Sequence, residues 1–236
     1  MLLETKNLTK NYGKKQAVSD VSIAFEPGIN TLLGENGAGK TTLMNMLCTA
    51  VPKSSGEILS DGKSISELGA KYREKISVLF QKQPYFPDYT VKEFMYYGGV
   101  LKGMKGDEIK KESVEKLTLV NMAEHLREKM KALSGGMRQR VFIAQALMND
   151  PEIIILDEPS AGLDIRERSE LKGLLKKLSV NKIIIISTHI VSDVDEITDK
   201  LFVMSHGKIL AQGQMTELLG EQSLEQYYLS VTDPVS

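Results

Sequence analysis

The chain has 236 residues, enough for one large domain or two small ones that bury most of their surface unaided. It is 42% hydrophobic and 26% charged, and its 30 Lys+Arg against 31 Asp+Glu leave a formal net charge of -1, without the basic excess of a nucleic-acid binder. Cys48 is the single cysteine, which excludes an intramolecular disulfide and suits a reducing compartment, and the apolar runs Ile153 to Leu156 and Ile183 to Ile186 fall far short of the roughly 20 residues a membrane-spanning helix needs.

From the N-terminus, Leu2 to Thr9 alternates with polar residues and carries no basic and then apolar leader, so the chain is expected to stay in the cytoplasm. Strand-like runs follow at Val18 to Phe25 and Ile29 to Leu33. The second leads into Gly34-Glu35-Asn36-Gly37-Ala38-Gly39-Lys40-Thr41-Thr42, a full match to the phosphate-loop pattern G-x-x-x-x-G-K-[ST]. Leu43, Met46 and Leu47 then share one helix face, which completes the strand, loop and helix that the motif requires. The glycines let backbone N–H groups and the positive end of the new helix point at phosphates. Lys40 neutralises the β- and γ-phosphates, and Thr41 offers a hydroxyl oxygen to Mg²⁺. A nucleoside triphosphate is therefore the expected ligand. Met44, Met46 and Cys48 read as core residues of this helix.

Further strand-like runs at Ile76 to Phe80, Ile153 to Leu156, Ile183 to Ser187 and Leu201 to Met204 alternate with helical patterns, which predicts a mostly parallel sheet flanked by helices. Between Pro84 and Met148 the strand signals vanish and a helical lobe is expected. Its charge run, Asp107, Glu108, Lys110, Lys111, Glu112, Glu115 and Lys116, reads as a solvated helix face. Leu133-Ser134-Gly135-Gly136-Met137 opens a helix with a stripe of Met137, Val141, Ala144 and Met148, so Ser134 is a candidate N-cap and the helix start a second anion site. Ile153 to Leu156 ends in Asp157-Glu158, two carboxylates at the carboxyl end of a buried strand, where open α/β sheets bind ligands. Asp157 is expected to hold Mg²⁺ through water, and Glu158 to face the γ-phosphate and accept a proton from the attacking water.

The order of these motifs resembles the nucleotide-binding domain of ATP-binding cassette transporters, whose signature LSGGQ reads LSGGM at Leu133 to Met137, and the resemblance covers nearly the whole chain. It implies an α/β P-loop NTPase (RecA-like) fold with a mostly parallel sheet core, an antiparallel β subdomain and an inserted α-helical subdomain. The core lobe would span about 1–83 and 149–213, the helical lobe about 84–148 and a C-terminal tail 214–236. It also implies ATP and Mg²⁺ as ligands, and a head-to-tail homodimer or heterodimer in which Ser134 and Gly136 serve the ATP held by the opposing loop, with Gly34, Asn36, Gly37, Ala38, Gly39, Lys40, Thr41 and Thr42 cradling each nucleotide. Met137 in place of glutamine removes a side-chain amide, and activity is expected to survive because the anion contacts come mainly from Ser134 and backbone N–H groups.

By the same resemblance, Tyr12 in Lys10-Asn11-Tyr12-Gly13 stacks on adenine, a packed tyrosine being the plain alternative. Gln81 reaches Mg²⁺ and links the catalytic site to the membrane partner, with Gln83 a second candidate for that role. Asp164 in Ser160-Ala161-Gly162-Leu163-Asp164 contacts the opposite subunit. His189 meets the γ-phosphate and holds Glu158. His125 and His206 match no motif and receive no chemistry.

The function expected is an ATPase subunit acting on a separate transmembrane permease, peripheral on the inner face of the cell membrane and without a nucleic-acid partner. The SAGLD loop and the run Ser187 to Val194 look most like bacterial exporters of drugs, antimicrobial peptides or lipid-linked material, and the short tail after Gly213 agrees. The alternative is a cassette ATPase of translation or chromosome maintenance, which would carry a second cassette or a long coiled coil. A non-hydrolysing switch would lack Glu158 or His189.

Overall fold

A computed structural model describes residues 1–233, so positions 234–236 of the expected tail lie outside the described residues. The chain opens with β1 (Leu3–Tyr12) and β2 (Lys15–Phe25), joined by a tight turn in which Gly13 takes a left-handed φ of 58°. Then come β3 (Gly28–Leu33), α1 (Lys40–Leu47), β4 (Ser55–Ser60), β5 (Lys63–Ser64), α2 (Ile65–Leu68), α3 (Ala70–Lys75) and β6 (Ile76–Leu79). Helices α4 (Val91–Leu101), α5 (Gly106–Leu119) and α6 (Gly135–Ala146) follow, then β7 (Ile153–Asp157), α7 (Ile165–Leu178), β8 (Ile183–Thr188), β9 (Lys200–Ser205), β10 (Lys208–Gln214), α8 (Met215–Leu219) and α9 (Leu224–Thr232).

Among the described residues these strands form two sheets. One is antiparallel, in the order β2-β1-β4-β5; the other runs β10-β9-β3-β8-β7-β6, parallel from β9 to β6 with β10 antiparallel at its edge. Strands β3, β7 and β8 are buried along their whole length. That explains the aliphatic runs Ile153 to Leu156 of β7 and Ile183 to Ile186 of β8, since a sheet covered on both faces leaves no polar side. Alternate residues face opposite ways. Ile154, Leu156, Ile184 and Ile186 join Phe94, Ile109 and Val141 of the helices on one face, while Ile153, Ile155, Ile183 and Ile185 join Leu43, Leu47 and Phe25 on the other.

Each strand-like run lies in a strand, with Phe80 just beyond the end of β6. From 84 to 148 the regular elements are helices and short 3-10 turns joined by loops, with an isolated bridge between Thr90 and Lys129. On α5 the buried positions Ile109, Ser113 and Leu117 recur every four residues and most of the charged ones are exposed, which is the solvated face its charge run predicts. The register Ile153 to Ile183 and Leu156 to Ile186, with Leu33 opposite Thr188, aligns the carboxyl ends of β3, β7 and β8. All the chemistry-bearing loops of the core therefore leave the sheet from one edge.

Candidate active site

The loop after β3 is shaped by backbone contacts that exclude side chains. A Cβ on Gly34 would lie 2.1 Å from the Met204 carbonyl oxygen of β9, and Gly39 has a φ of 107° with the Ala17 carbonyl 2.4 Å from its Cβ position. Gly39 is the N-cap of α1, and the first turn-closing bond is Leu43 N to Gly39 O at 2.9 Å. The N–H groups of Lys40, Thr41 and Thr42 precede that bond, so they remain available at the positive end of the helix. Lys40 is buried, and its Nζ donates to the Gly34 and Glu35 carbonyls at 2.6 and 3.1 Å, closing the loop on itself. Burial pushes its ammonium below the ordinary lysine value, while the Glu158 and Asp157 carboxylates pull the other way.

Strand β7 delivers Asp157 beside this loop. Thr41 Oγ1 donates to Asp157 Oδ2 at 2.9 Å across 116 residues of sequence, and Ser187 Oγ of β8 donates to Asp157 Oδ1. Glu158, one residue on, is buried in a left-handed conformation with φ 51°, rare for a side chain with a Cβ and typical of functional turns. Its N–H donates to Ser187 O at 3.1 Å, which holds the turn, and its Oε1 lies 2.8 Å from His189 Nδ1.

An open cleft of about 460 Å³ lies over these groups, lined by Asn36, Gly37, Gly39, Lys40, Thr41, Thr42, Gln81 and Glu158. Asp157 and His189 do not line the cleft themselves but bond to the lining residues Thr41 and Glu158. Gly34 and Ala38 are buried in the loop, where the Ala38 carbonyl accepts from Gly207 N at 2.8 Å. Gln81 lines the cleft, whereas Gln83 turns back and its Oε1 accepts from Phe80 N at 3.4 Å. The cleft is also walled by Lys15, Gln16, Ala17 and Gly207, which no motif singles out, and by His206, to which the sequence assigns no chemistry. His206-Gly207 is a turn pair between two strands, and its place at the end of a strand parallel to β3 was the available signal.

Tyr12, Ser134, Gly136 and Asp164 do not line this cleft. Tyr12 is half exposed, with Lys10 Nζ 4.9 Å above its ring. Ser134 caps α6, its Oγ accepting from Met137 N at 3.1 Å. Met137 itself is half-buried, and Met148 falls in the turn beyond the helix. A Cβ on Gly136 would sit 2.4 Å from the Glu167 carboxylate, so the start of α6 has a carboxylate packed against it. That carboxylate also accepts from Asp164 N at 3.0 Å in the capping box of α7 and lies 3.5 Å from Arg140 of α6. Gln139 of α6 donates to Pro159 O at 3.0 Å.

Magnesium takes hard oxygen ligands and keeps several waters. Thr41 and Asp157 bring two side-chain oxygens together and Gln81, with an amide oxygen in its side chain, lines the same cleft as Thr41, a donor set that fits this ion. With free helix N–H groups and a buried lysine opposite a histidine-bound carboxylate, the arrangement can bind a polyphosphate and activate a water against it.

A family model described as ABC transporter matches residues 18–161. The chain is 34% identical over 219 residues to the linearmycin resistance ATP-binding protein LnrL of Bacillus subtilis, covering 92% of this chain and 70% of that protein. It is 35% identical over 217 residues to the Fe(3+) ions import ATP-binding protein FbpC of Agrobacterium fabrum, covering 90% of this chain and 61% of that one. Among solved structures, cbiO1 of Clostridium perfringens, described as part of the ABC transporter complex cbiONQ, superposes with a TM-score of 0.83 at 31% identity, covering 98% and 95% of the two chains. A dimeric bacterial ABC transporter cassette superposes with a TM-score of 0.82 at 27% identity, covering 90% and 98%. This chain belongs to the ABC transporter family, as one of its ATP-binding, ATP-hydrolysing cassettes.

Proposed function

We propose that the chain powers an exporter, as one half of a head-to-tail cassette dimer docked on a separate permease at the cytoplasmic face of the membrane. The observation that carries the hydrolytic core of this reading is the 2.9 Å bond between Thr41 and Asp157, which ties the phosphate loop to the strand end bearing Glu158. Lys40 and the first amides of α1 bind the β- and γ-phosphates. Thr41, Asp157 and Gln81 would hold Mg²⁺, which would supply positive charge to offset that of the phosphates. Glu158 takes the proton of the attacking water, and His189 keeps that carboxylate in place and meets the γ-phosphate. Catalysis here is positioning plus electrostatics. Tyr12 stacks on adenine at the outer rim. Ser134, Gly136 and Asp164, which lie outside the chain's own cleft, serve the nucleotide of the opposing cassette.

The likeness to a linearmycin resistance protein supports export, the likeness to an Fe(3+) ions import protein supports the reverse, and the cassette dimer among the structural neighbours supports the two-subunit assembly. A transport assay decides the direction. The tagged chain is purified with whatever membrane protein accompanies it, and the pair is placed in inside-out vesicles with a panel of amphipathic drugs. ATP-driven accumulation inside the vesicles is the expected result; ATP-driven depletion of preloaded vesicles would mean import.

A further inference from the structure

Asp193 is a buried carboxylate that does not line the cleft. It sits four residues after His189, in the short turn that leaves β8, and its two oxygens hold one loop at both ends. Oδ2 accepts from Ser160 Oγ, and Oδ1 lies 3.1 Å from Arg168 Nη1 of α7. Arg168 Nε in turn donates to the Leu163 carbonyl at 3.0 Å, next to Asp164. The 160–163 loop is closed between these anchors by Leu163 N to Ser160 O at 3.1 Å. Lys172 faces the same turn but donates to Ser192 O and pairs with Asp195 and Glu196. Arg168 is thus the cation paired with Asp193.

The two ends of this network have different surroundings. One end is the Glu158 and His189 pair at the chain's own cleft, since Ala161 N donates to Glu158 O at 3.1 Å. The other is Asp164, outside that cleft. We infer that Asp193 is a positioning residue that couples the Glu158–His189 pair to Asp164, so that closure at one nucleotide sets the geometry of the loop facing the other. The inference rests on the head-to-tail reading. A buried, doubly bonded carboxylate has few alternative arrangements, which is what a rigid connection between two sites requires. Because Asp193 touches no cleft-lining side chain directly, its removal acts on dimer closure and turnover and leaves the binding of ATP to one chain alone.

The test uses Asp193→Asn, which keeps the shape and removes the charge, in a Glu158→Gln background where ATP-bound dimers accumulate. Size exclusion against ATP concentration reads dimer formation, and a fluorescent ATP analogue reads binding to the dilute monomer. Relative to Glu158→Gln alone, the double variant is expected to need about tenfold more ATP for half-dimerisation. Monomer affinity should stay within about twofold, given additivity of distant sites. In the otherwise wild-type complex with its membrane partner, Asp193→Asn should lower kcat about tenfold with KM little changed. Arg168→Met should give the same loss, without adding to it when combined. If Asp193→Asn melts before assay temperature, Ser160→Ala cuts one arm only and should give a smaller loss of the same kind. Normal dimerisation and kcat in a folded variant overturn the inference, as does a parallel loss of monomer affinity. A Glu158→Gln protein that does not dimerise with ATP fails before Asp193 is touched, which overturns the head-to-tail reading and the coupling with it.

Discussion

His189 Nδ1 and Glu158 Oε1 lie 2.8 Å apart, joining the ends of two neighbouring parallel strands through side chains 31 residues apart in sequence. Glu158 can make this contact because its backbone is left-handed, with its N–H held by the Ser187 carbonyl. The proposed base is therefore held by Ser187 of β8 and by His189 just beyond that strand before any substrate arrives. Such preorganisation lowers the reorganisation needed during reaction.

Replacing Glu158 with glutamine keeps a hydrogen-bonding group toward His189 and removes the proposed base. Turnover is expected to drop on the order of 10² to 10⁴ fold while ATP binding persists. Steady-state ATPase assays beside nucleotide titration check this, and hydrolysis near the normal rate would assign the water to another group.

Lys40→Ala removes the buried cation that now bridges the Gly34 and Glu35 carbonyls. Nucleotide affinity should fall roughly 10- to 100-fold, the scale of a hydrogen bond to a charged group. The hydrophobic core is untouched, so thermal melting should shift by only a few degrees. Titration with a fluorescent ATP analogue alongside melting separates the two effects. Unchanged affinity in a folded variant would contradict the assignment of the loop.

Two glycine substitutions should part company. Gly39→Ala forces a Cβ onto the Ala17 carbonyl at a φ of 107°, and a backbone atom cannot move aside, so this variant should lose both nucleotide binding and stability. Gly136→Ala meets the movable end of the Glu167 side chain. It should keep its fold and its own nucleotide affinity, and weaken ATP-driven dimerisation by disturbing the start of α6. Melting, titration and size exclusion on the pair read this directly.

Much of this site is legible in sequence because its parts are local. The phosphate loop, the Asp157-Glu158 strand end and the Ser134 cap each need only neighbours within a few residues, and the aliphatic runs of β7 and β8 announce a sheet covered on both faces. What sequence does not carry is which turns meet. Lys15, Gln16, Ala17 and His206 reach the cleft because β9 runs beside β3 and the β2 backbone packs on Gly39. Glu167 against Gly136, and Asp193 against Ser160, likewise depend on packing between elements distant along the chain. Strands β1, β4, β5 and β10 do not coincide with a strand-like run, since each mixes polar and solvent-facing residues into a short or irregular apolar pattern.

Lys102, at the end of α4, donates to Ser77 Oγ, Ala146 O and Met148 O at 3.2, 3.0 and 2.7 Å, so it staples the helical segment to β6. Burial pushes its ammonium down to about 8 from 10.5, against a smaller upward pull from Glu112. Between those two values the native state holds fewer protons than the unfolded chain, so this group's contribution to stability rises with pH; below about 8 its cost is fully present. Melting temperatures at pH 7 and pH 10 should show the wild type gaining on Lys102→Met as pH rises. A relative loss would contradict the burial of a charged amine there.

The central claim, that each catalytic site is built from two chains, is tested most directly by mixing Lys40→Ala with Ser134→Arg after each has been found inactive alone. A head-to-tail dimer of the two contains one site made wholly of intact motifs and one carrying both lesions. With subunit exchange verified and the membrane partner present, the mixture should recover part of the hydrolysis, or, where turnover needs both sites, trap one nucleotide per mixed dimer. Verified mixed dimers with neither recovered turnover nor a trapped nucleotide would mean that Ser134 and Lys40 do not meet across an interface.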